Sequence, residues 1–223
     1  SFDFGKIITT GEGGMILTNN KKIYQYCKEY HDHGHMNLKN ISRGNDNARI
    51  HGFNYRATEF QGAIGKVQLK KLNKLIIKRQ QLVKILNNQL NQLKYLKTPI
   101  IQKKNTHIYY LYPLTLDTKK AGISRKSVIK KLKKLGVPGL IEGYANIHTL
   151  PMYKKKIAYG TKNFPWSLNK KISFKKESLP IAENLHKNDF FAIELCLYDF
   201  NFKDIEFIVK NFKKAWNELN INK

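Results

Sequence analysis

The sequence predicts a chain of mixed helix and strand that ends in a small α+β domain. Three observations carry that expectation. A glycine-rich turn lies between β-branched runs over residues 6–18, and an apolar stripe runs at helical spacing from Phe60 to Leu93. Residues 94–223 then alternate as strand, helix, strand, strand, helix. At 223 residues, one large domain or two small ones are both reasonable. Apolar residues at 41% and aromatics at 12% are too many for a disordered polyelectrolyte, so the chain should bury a core.

The elements follow in order. Residues 6–18, KIITTGEGGMILT, predict a hairpin or tight strand–turn–strand around Gly11 to Gly14. Asn19 and Asn20 lead into a helix over about 20–30, with Ile23, Tyr26, Cys27 and Tyr30 on one face. Residues 31–57 form a long polar loop with three of the histidines near its start. Thr58-Glu59-Phe60-Gln61 fits a capping box that opens a helix to about residue 93. Gly62 and Gly65 suggest close backbone packing near its start. Beyond Pro99, residues 107–116 predict a strand, and Ser124 caps a helix closed by Gly136. Residues 137–147 and 193–197 are strand-like, 149–177 basic and irregular, and 204–219 a closing helix with Ile205, Ile208, Val209, Phe212 and Trp216 inward. The domain boundaries expected are 1–57, a connecting helix over 58–93, and 94–223.

Charge comes next. Lys plus Arg number 41 against 16 Asp plus Glu, a net charge of +25. Such an excess invites a nucleic-acid reading, but 36 of the cations are Lys and only five are Arg, while base-edge readout leans on Arg forks. Lysine runs such as Lys130-Lys131, Lys154-Lys155-Lys156 and Lys175-Lys176 read as solvated faces, so nucleic acid is not the expected partner. No stretch of eighteen uncharged apolar residues occurs, so no transmembrane helix is expected. Two thiols, Cys27 and Cys196, point to a reducing compartment and hence the cytoplasm. A first residue of Ser rather than Met is consistent with a processed start or a fragment.

Three constellations could carry chemistry. Lys6 precedes an apolar run, and a desolvated Lys has a lowered pKa and can form a Schiff base; an isolated Lys among 36 is more commonly a solvated surface residue. His51-Gly52-Phe53-Asn54-Tyr55-Arg56 either closes a loop on a helix cap or gathers donors for an anion at the helix N-terminus. His31, His33 and His35 around Asp32 invite a metal. Spacing two shares a face only in an extended strand, and no second cluster supplies a fourth ligand, so no metal is expected.

The string SFxxxKxxTxGEGG from Ser1 to Gly14, then Gly-Phe-Asn-Tyr-Arg, then Glu-Phe-Gln-Gly-Ala-Ile-Gly, resembles the DegT/DnrJ/EryC1/StrS aminotransferases. The resemblance implies an α/β pyridoxal-phosphate-dependent transferase of fold type I, here the end of the large domain plus the small α+β domain. It implies that Lys6 holds pyridoxal 5'-phosphate as an internal aldimine, that Ser1 contacts the cofactor phosphate, and that Asn54 reaches the phosphate across a homodimer interface. His148 matches a sugar-contacting histidine. The substrate would be a keto sugar and the amino donor glutamate. The loop with His33, Arg43 and Arg49 is similar to that of members that aminate eight-carbon ulosonic acids, as in 8-amino-3,8-dideoxy-octulosonate synthesis, and arginines suit an acidic sugar. Family members are much longer, and the residues that hold the pyridine ring precede the lysine. The resemblance therefore implies the C-terminal portion of a longer enzyme, with a catalytically incomplete piece serving binding or assembly as the alternative and a basic nucleic-acid-binding domain a more distant one.

Overall fold

A computed structural model of the chain describes residues 1–143, 145–169, 171 and 178–221. It resolves into two compact units, Ser1–Leu75 and Ile76–Lys223. Tyr144 and the Lys175-Lys176 run lie outside the described residues.

In the first unit, residues 6–18 do not form the expected hairpin. Residues 1–14 instead make a folded loop in which the Phe2 N–H donates to the Gly13 carbonyl at 2.9 Å and the Thr10 N–H donates to the Phe2 carbonyl at 2.9 Å. Gly11 and Gly13, both at positive φ, turn the chain back. Met15, Ile16 and Leu17 are exposed, because a β-branched run becomes a strand only when another strand satisfies its backbone. Helix α1 spans Lys21–Tyr30, with the Asn20 carboxamide accepting from the N–H groups of Lys22 and Ile23. Its buried residue is Glu29; Ile23 and Tyr26, expected to face inward, are exposed. The loop over 31–57 folds back on the end of α1 through hydrogen bonds from Phe53 N–H to Tyr30 O (2.8 Å), His33 N–H to Phe53 O (3.0 Å) and Tyr55 N–H to His31 O (2.8 Å).

Helix α2 spans Glu59–Leu90 and opens on the expected capping box. The Gln61 Oε1 accepts from the Thr58 N–H at 2.8 Å while the Thr58 Oγ1 accepts from the Gln61 N–H at 3.2 Å. The apolar stripe is not buried along its whole length. Phe60 is 83% exposed and Ile64 and Val67 are open to solvent, whereas Leu82, Val83, Leu86 and Leu90 are buried. Of the paired glycines, a Cβ at Gly65 would come within 3.3 Å of the Thr10 methyl, while a side chain at Gly62 would meet only open space.

Among the described residues, the second unit is a four-stranded antiparallel sheet with helices packed on it. Strands β1 (Leu96–Lys97), β2 (Leu111–Leu116), β3 (Leu140–Glu142) and β4 (Phe190–Glu194) lie in the order β1-β2-β4-β3. Leu114 stands opposite Phe191 and Ile141 opposite Ala192. The helices are α3 (Thr118–Ala121), α4 (Arg125–Lys134), α5 (Pro151–Lys154), α6 (Pro180–Asn184) and α7 (Phe202–Glu218). Ser124 caps α4 and Gly136, at φ 78°, follows its end, as expected. The core joins Leu82, Leu86 and Leu90 of α2 to Tyr112, Leu114 and Leu116 of β2, Val128, Ile129 and Leu132 of α4, Phe191 and Ile193 of β4, and the inward face of α7. All five residues expected to face inward on α7 do so. The Trp216 indole N–H donates to the Lys94 carbonyl at 3.0 Å, and the Tyr112 hydroxyl to Asn87 Oδ1 at 2.7 Å.

The strands depart from expectation at their ends. β2 begins at Leu111 rather than 107, because Tyr109 sits at φ 52°, outside the extended region. β3 is confined by Gly139 and Gly143, both at positive φ, and β4 precedes its expected position by three residues. Among the described residues no helix is long and apolar enough to cross a membrane.

Candidate active site

Lys6 and Ser1 lie in one tight turn. The Lys6 N–H donates to the Asp3 carbonyl at 3.0 Å, and the Ser1 hydroxyl oxygen accepts from the Asp3 N–H at 3.4 Å. Gly5 between them is buried, so the turn is pressed against the loop while the Lys6 side chain is half-buried. The same loop is fastened to the first turn of α2, where the Gln61 amide donates to the Glu12 carbonyl at 2.9 Å. The residue that completes the helix cap thus also anchors the glycine-rich segment after Lys6.

A second cluster forms where residues 29–56 fold together. Asp32 is buried, and its Oδ1 accepts from Arg43 and, at 2.5 Å, from Arg56, while its Oδ2 accepts from Asn37 at 3.2 Å. His33 Nδ1 lies 3.0 Å from Arg56 Nη1 and 3.5 Å from Asp32 Oδ1, so the ring sits within the same cluster. Burial opposes ionisation of Asp32, but the hydrogen bonds from Arg56 and Asn37 and the Arg43 charge outweigh it and hold the carboxyl far below its usual range. Arg49 pairs with Glu29, and that bond, with one from Gln25, keeps the Glu29 carboxyl ionised despite its burial. Asp46 accepts from the Met36 N–H at 2.6 Å and lies 3.4 Å from His35 Nδ1. Asn54 is exposed beside this cluster and bridges to Asp32 through the backbone.

The expected residues are therefore grouped in three places. Ser1 and Lys6 share the first turn, and His33, Arg43, Arg49 and Asn54 share the loop region after α1. His148 belongs to the second unit, in the short turn before α5, where its Nε2 lies 2.8 Å from Glu183 Oε1 on α6 with both side chains largely covered. Sequence reasoning missed Glu29, Asp46 and Glu183, and weighed Asp32 only as part of a metal cluster rather than as the partner of two arginines. Their signal was faint: isolated carboxylates in a chain so rich in cations have partners on every side. The three clustered histidines have separate partners, His31 Nδ1 facing the Lys28 carbonyl at 2.7 Å. Among the described residues no group of three His, Cys, Asp or Glu is arranged to hold a metal ion.

Residues 1–194 match the model of the DegT/DnrJ/EryC1/StrS aminotransferase family. The chain belongs to that family. An uncharacterised protein of Methanocaldococcus jannaschii is 34% identical over 197 residues, 85% of this chain and 50% of that protein. A GDP-perosamine synthase of Caulobacter vibrioides is 33% identical over 160 residues, 69% of this chain and 40% of the enzyme. Among solved structures, Helicobacter pylori PseC, an aminotransferase of pseudoaminic acid biosynthesis, superposes with a TM-score of 0.72 at 23% identity, covering 98% of this chain and 52% of that one. The aminotransferase TlmJ of Streptoalloteichus hindustanus gives 0.72 at 20% identity, covering 98% and 51%. The fold is that of the pyridoxal-phosphate-dependent aminotransferases of fold type I, and the family depends on that cofactor. The chain spans about half the length of the curated relatives it matches.

Proposed function

We propose that the chain forms part of a pyridoxal-phosphate-dependent aminotransferase that converts a keto sugar into an amino sugar, with glutamate as amino donor. One observation carries the reading: in a member of this family, an amine and a hydroxyl, Lys6 and Ser1, are held in a single turn by the main chain of Asp3. That donor set fits a cofactor that offers one carbonyl carbon and one phosphate. When bound, the cofactor supplies the electron sink that acidifies the carbon carrying the substrate nitrogen. The work of this chain is then positioning and proton transfer. The Lys6 Nζ takes a proton from that carbon and returns it elsewhere, and the Ser1 hydroxyl donates to a phosphate oxygen. Asn54, exposed at the loop end, donates to the phosphate of a second copy, so the working unit is a homodimer. The loop bearing His33, Arg43 and Arg49 binds the sugar, which is nucleotide-linked or a ulosonic acid; the family resemblance gives His148, paired with Glu183, a sugar-contacting role. Relatives named for amino-sugar synthesis support the substrate class, and a cysteine count of only two supports a cytoplasmic setting.

Absorbance of the cofactor on the complete gene product tests the reading, with a keto sugar and glutamate as substrates. Lys6→Ala is expected to abolish both the protein-linked cofactor band and turnover; either surviving the substitution overturns the assignment of Lys6. One other reading is a chain that keeps the fold but serves in binding or assembly without catalysis. Cofactor-loaded gene product without turnover on any keto sugar would support that one instead.

A further inference from the structure

We infer that Asp32 is a positioning residue that gathers Arg43, Arg56 and His33 into one receptor for an oxyanion. The inference deepens the aminotransferase reading and rests on it for its biological ligand. The argument begins with stoichiometry. Glu29 faces one guanidinium, Arg49, and Asp46 faces one imidazole, His35; these are pairs. Asp32 faces two guanidinium groups at one oxygen, so at this carboxylate the cations outnumber the anion two to one.

Burial then says where these cations lie. The Asp32 side chain is 8% exposed, whereas Arg43, Arg56 and His33 are 51%, 39% and 46% exposed. The carboxylate is the floor of the cluster and the cations are its open rim. Both Asp32 oxygens already accept, Oδ1 from the two arginines and Oδ2 from Asn37. Each guanidinium has five N–H groups and spends only part of them on Asp32 and His33. Each guanidinium is held on that oxygen through one nitrogen, and a guanidinium's remaining N–H groups are the kind that grip a carboxylate or phosphate in bidentate fashion. His33, whose Nδ1 lies 3.0 Å from Arg56 Nη1 and 3.5 Å from Asp32 Oδ1, adds an imidazole to the same rim. The backbone beneath is stiff: Gly34 N–H donates to the Glu29 carbonyl at 2.9 Å, and Gly52 lies so close to Gly34 that no side chain fits between them.

The assignment separates the candidate arginines. Arg49 holds Glu29 and serves the loop; Arg43 and Arg56 take the ligand. Two sources share the oxyanion chemistry, the carboxylate of a sugar acid and the phosphates of a nucleotide-linked sugar.

Titrating the chain, labelled with 15N in its arginine side chains, with glucuronate and separately with inorganic pyrophosphate tests the assignment. Saturable shifts of the Arg43 and Arg56 side-chain signals, and none at Arg49, are expected with at least one probe, and the probe that saturates at lower concentration identifies the source. Asp32→Asn is the decisive variant. Deleting a negative charge would by itself tighten anion binding, whereas loss of a positioning carboxylate weakens it, here by about tenfold. Unchanged or tighter binding overturns the role of Asp32. Arg43→Lys keeps the charge and loses the fork, so it also weakens binding by about tenfold, and full affinity in that variant overturns the bidentate receptor even if Asp32→Asn does not fold. No saturable shift with either probe overturns the site itself. None of these outcomes depends on the cofactor band that Lys6→Ala reads, so a failed receptor and a failed aminotransferase assignment are told apart.

Discussion

Replacing Gly52 by alanine should open the loop that presents Asn54 and Arg56. A Cβ at this position would lie 2.3 Å from the Gly34 nitrogen and 2.8 Å from both the His33 carbonyl carbon and the Tyr30 carbonyl oxygen. All three are backbone atoms, so no rotamer relieves the clash and the strands of the loop must part. Parting them breaks the hydrogen bonds Phe53 N–H to Tyr30 O, His33 N–H to Phe53 O and Tyr55 N–H to His31 O. At about 1 kcal/mol each, and with some accommodation elsewhere, the local cost is about 2–4 kcal/mol. Hydrogen exchange reads that number directly, because the protection of these amides reports the free energy of opening. Protection at His33, Phe53 and Tyr55 should fall by roughly thirtyfold to several hundredfold, while the core amides of β2 and β4 are unchanged. Gly62→Ala is the control, since a side chain there meets nothing and the helix gains about 1 kcal/mol in propensity. Equal protection in the Gly52 variant and its parent would refute the packing argument.

Two further outcomes concern stability. Trp216→Phe removes the indole donor to the Lys94 carbonyl and leaves a small void among fully buried neighbours. It should lower the stability of the second unit by about 1–3 kcal/mol, a fall in Tm of roughly 3–10 °C by calorimetry, and no measurable fall would count against that hydrogen bond. Acid should loosen the loop after α1. Glu29, Asp32 and Asp46 are all held below their ordinary pKa values by their partners, so their contribution is complete above roughly pH 4–5 and is lost as pH falls through the lowered values. Exchange of the His33 and Phe53 amides should accelerate below that range, and in Glu29→Gln the acceleration should be shallower; a variant with the parent's full acid dependence would remove Glu29 from the account.

Helices were legible in this sequence because their signals are local. Thr58 with Gln61, Ser124 and Gly136 each satisfy backbone groups within a few residues of themselves, and they appear where expected. Strands were less legible because their partners are remote. Residues 6–18 have the composition of a hairpin yet form none, and β4 is buried at Phe191, Ala192 and Ile193 in succession, which erases the alternation that would mark it. Half of the candidate site was readable on the same principle. Lys6 and Ser1 stand in a continuous motif, whereas Asp32 acquires its meaning only when Arg43 and Arg56, 11 and 24 residues away, fold onto it.

The sheet of the second unit has a consequence for how the protein behaves in a crowd. Its long strands, β2 and β4, occupy the middle and are paired on both sides. The rims are β1, two residues long and ending on Lys97, and β3, three residues long and ending on Glu142. Such stubs offer too few free amides and carbonyls to template another chain, and a charged side chain closes each of them. Among the described residues, both edges of the sheet are therefore poor templates for strand addition by another chain.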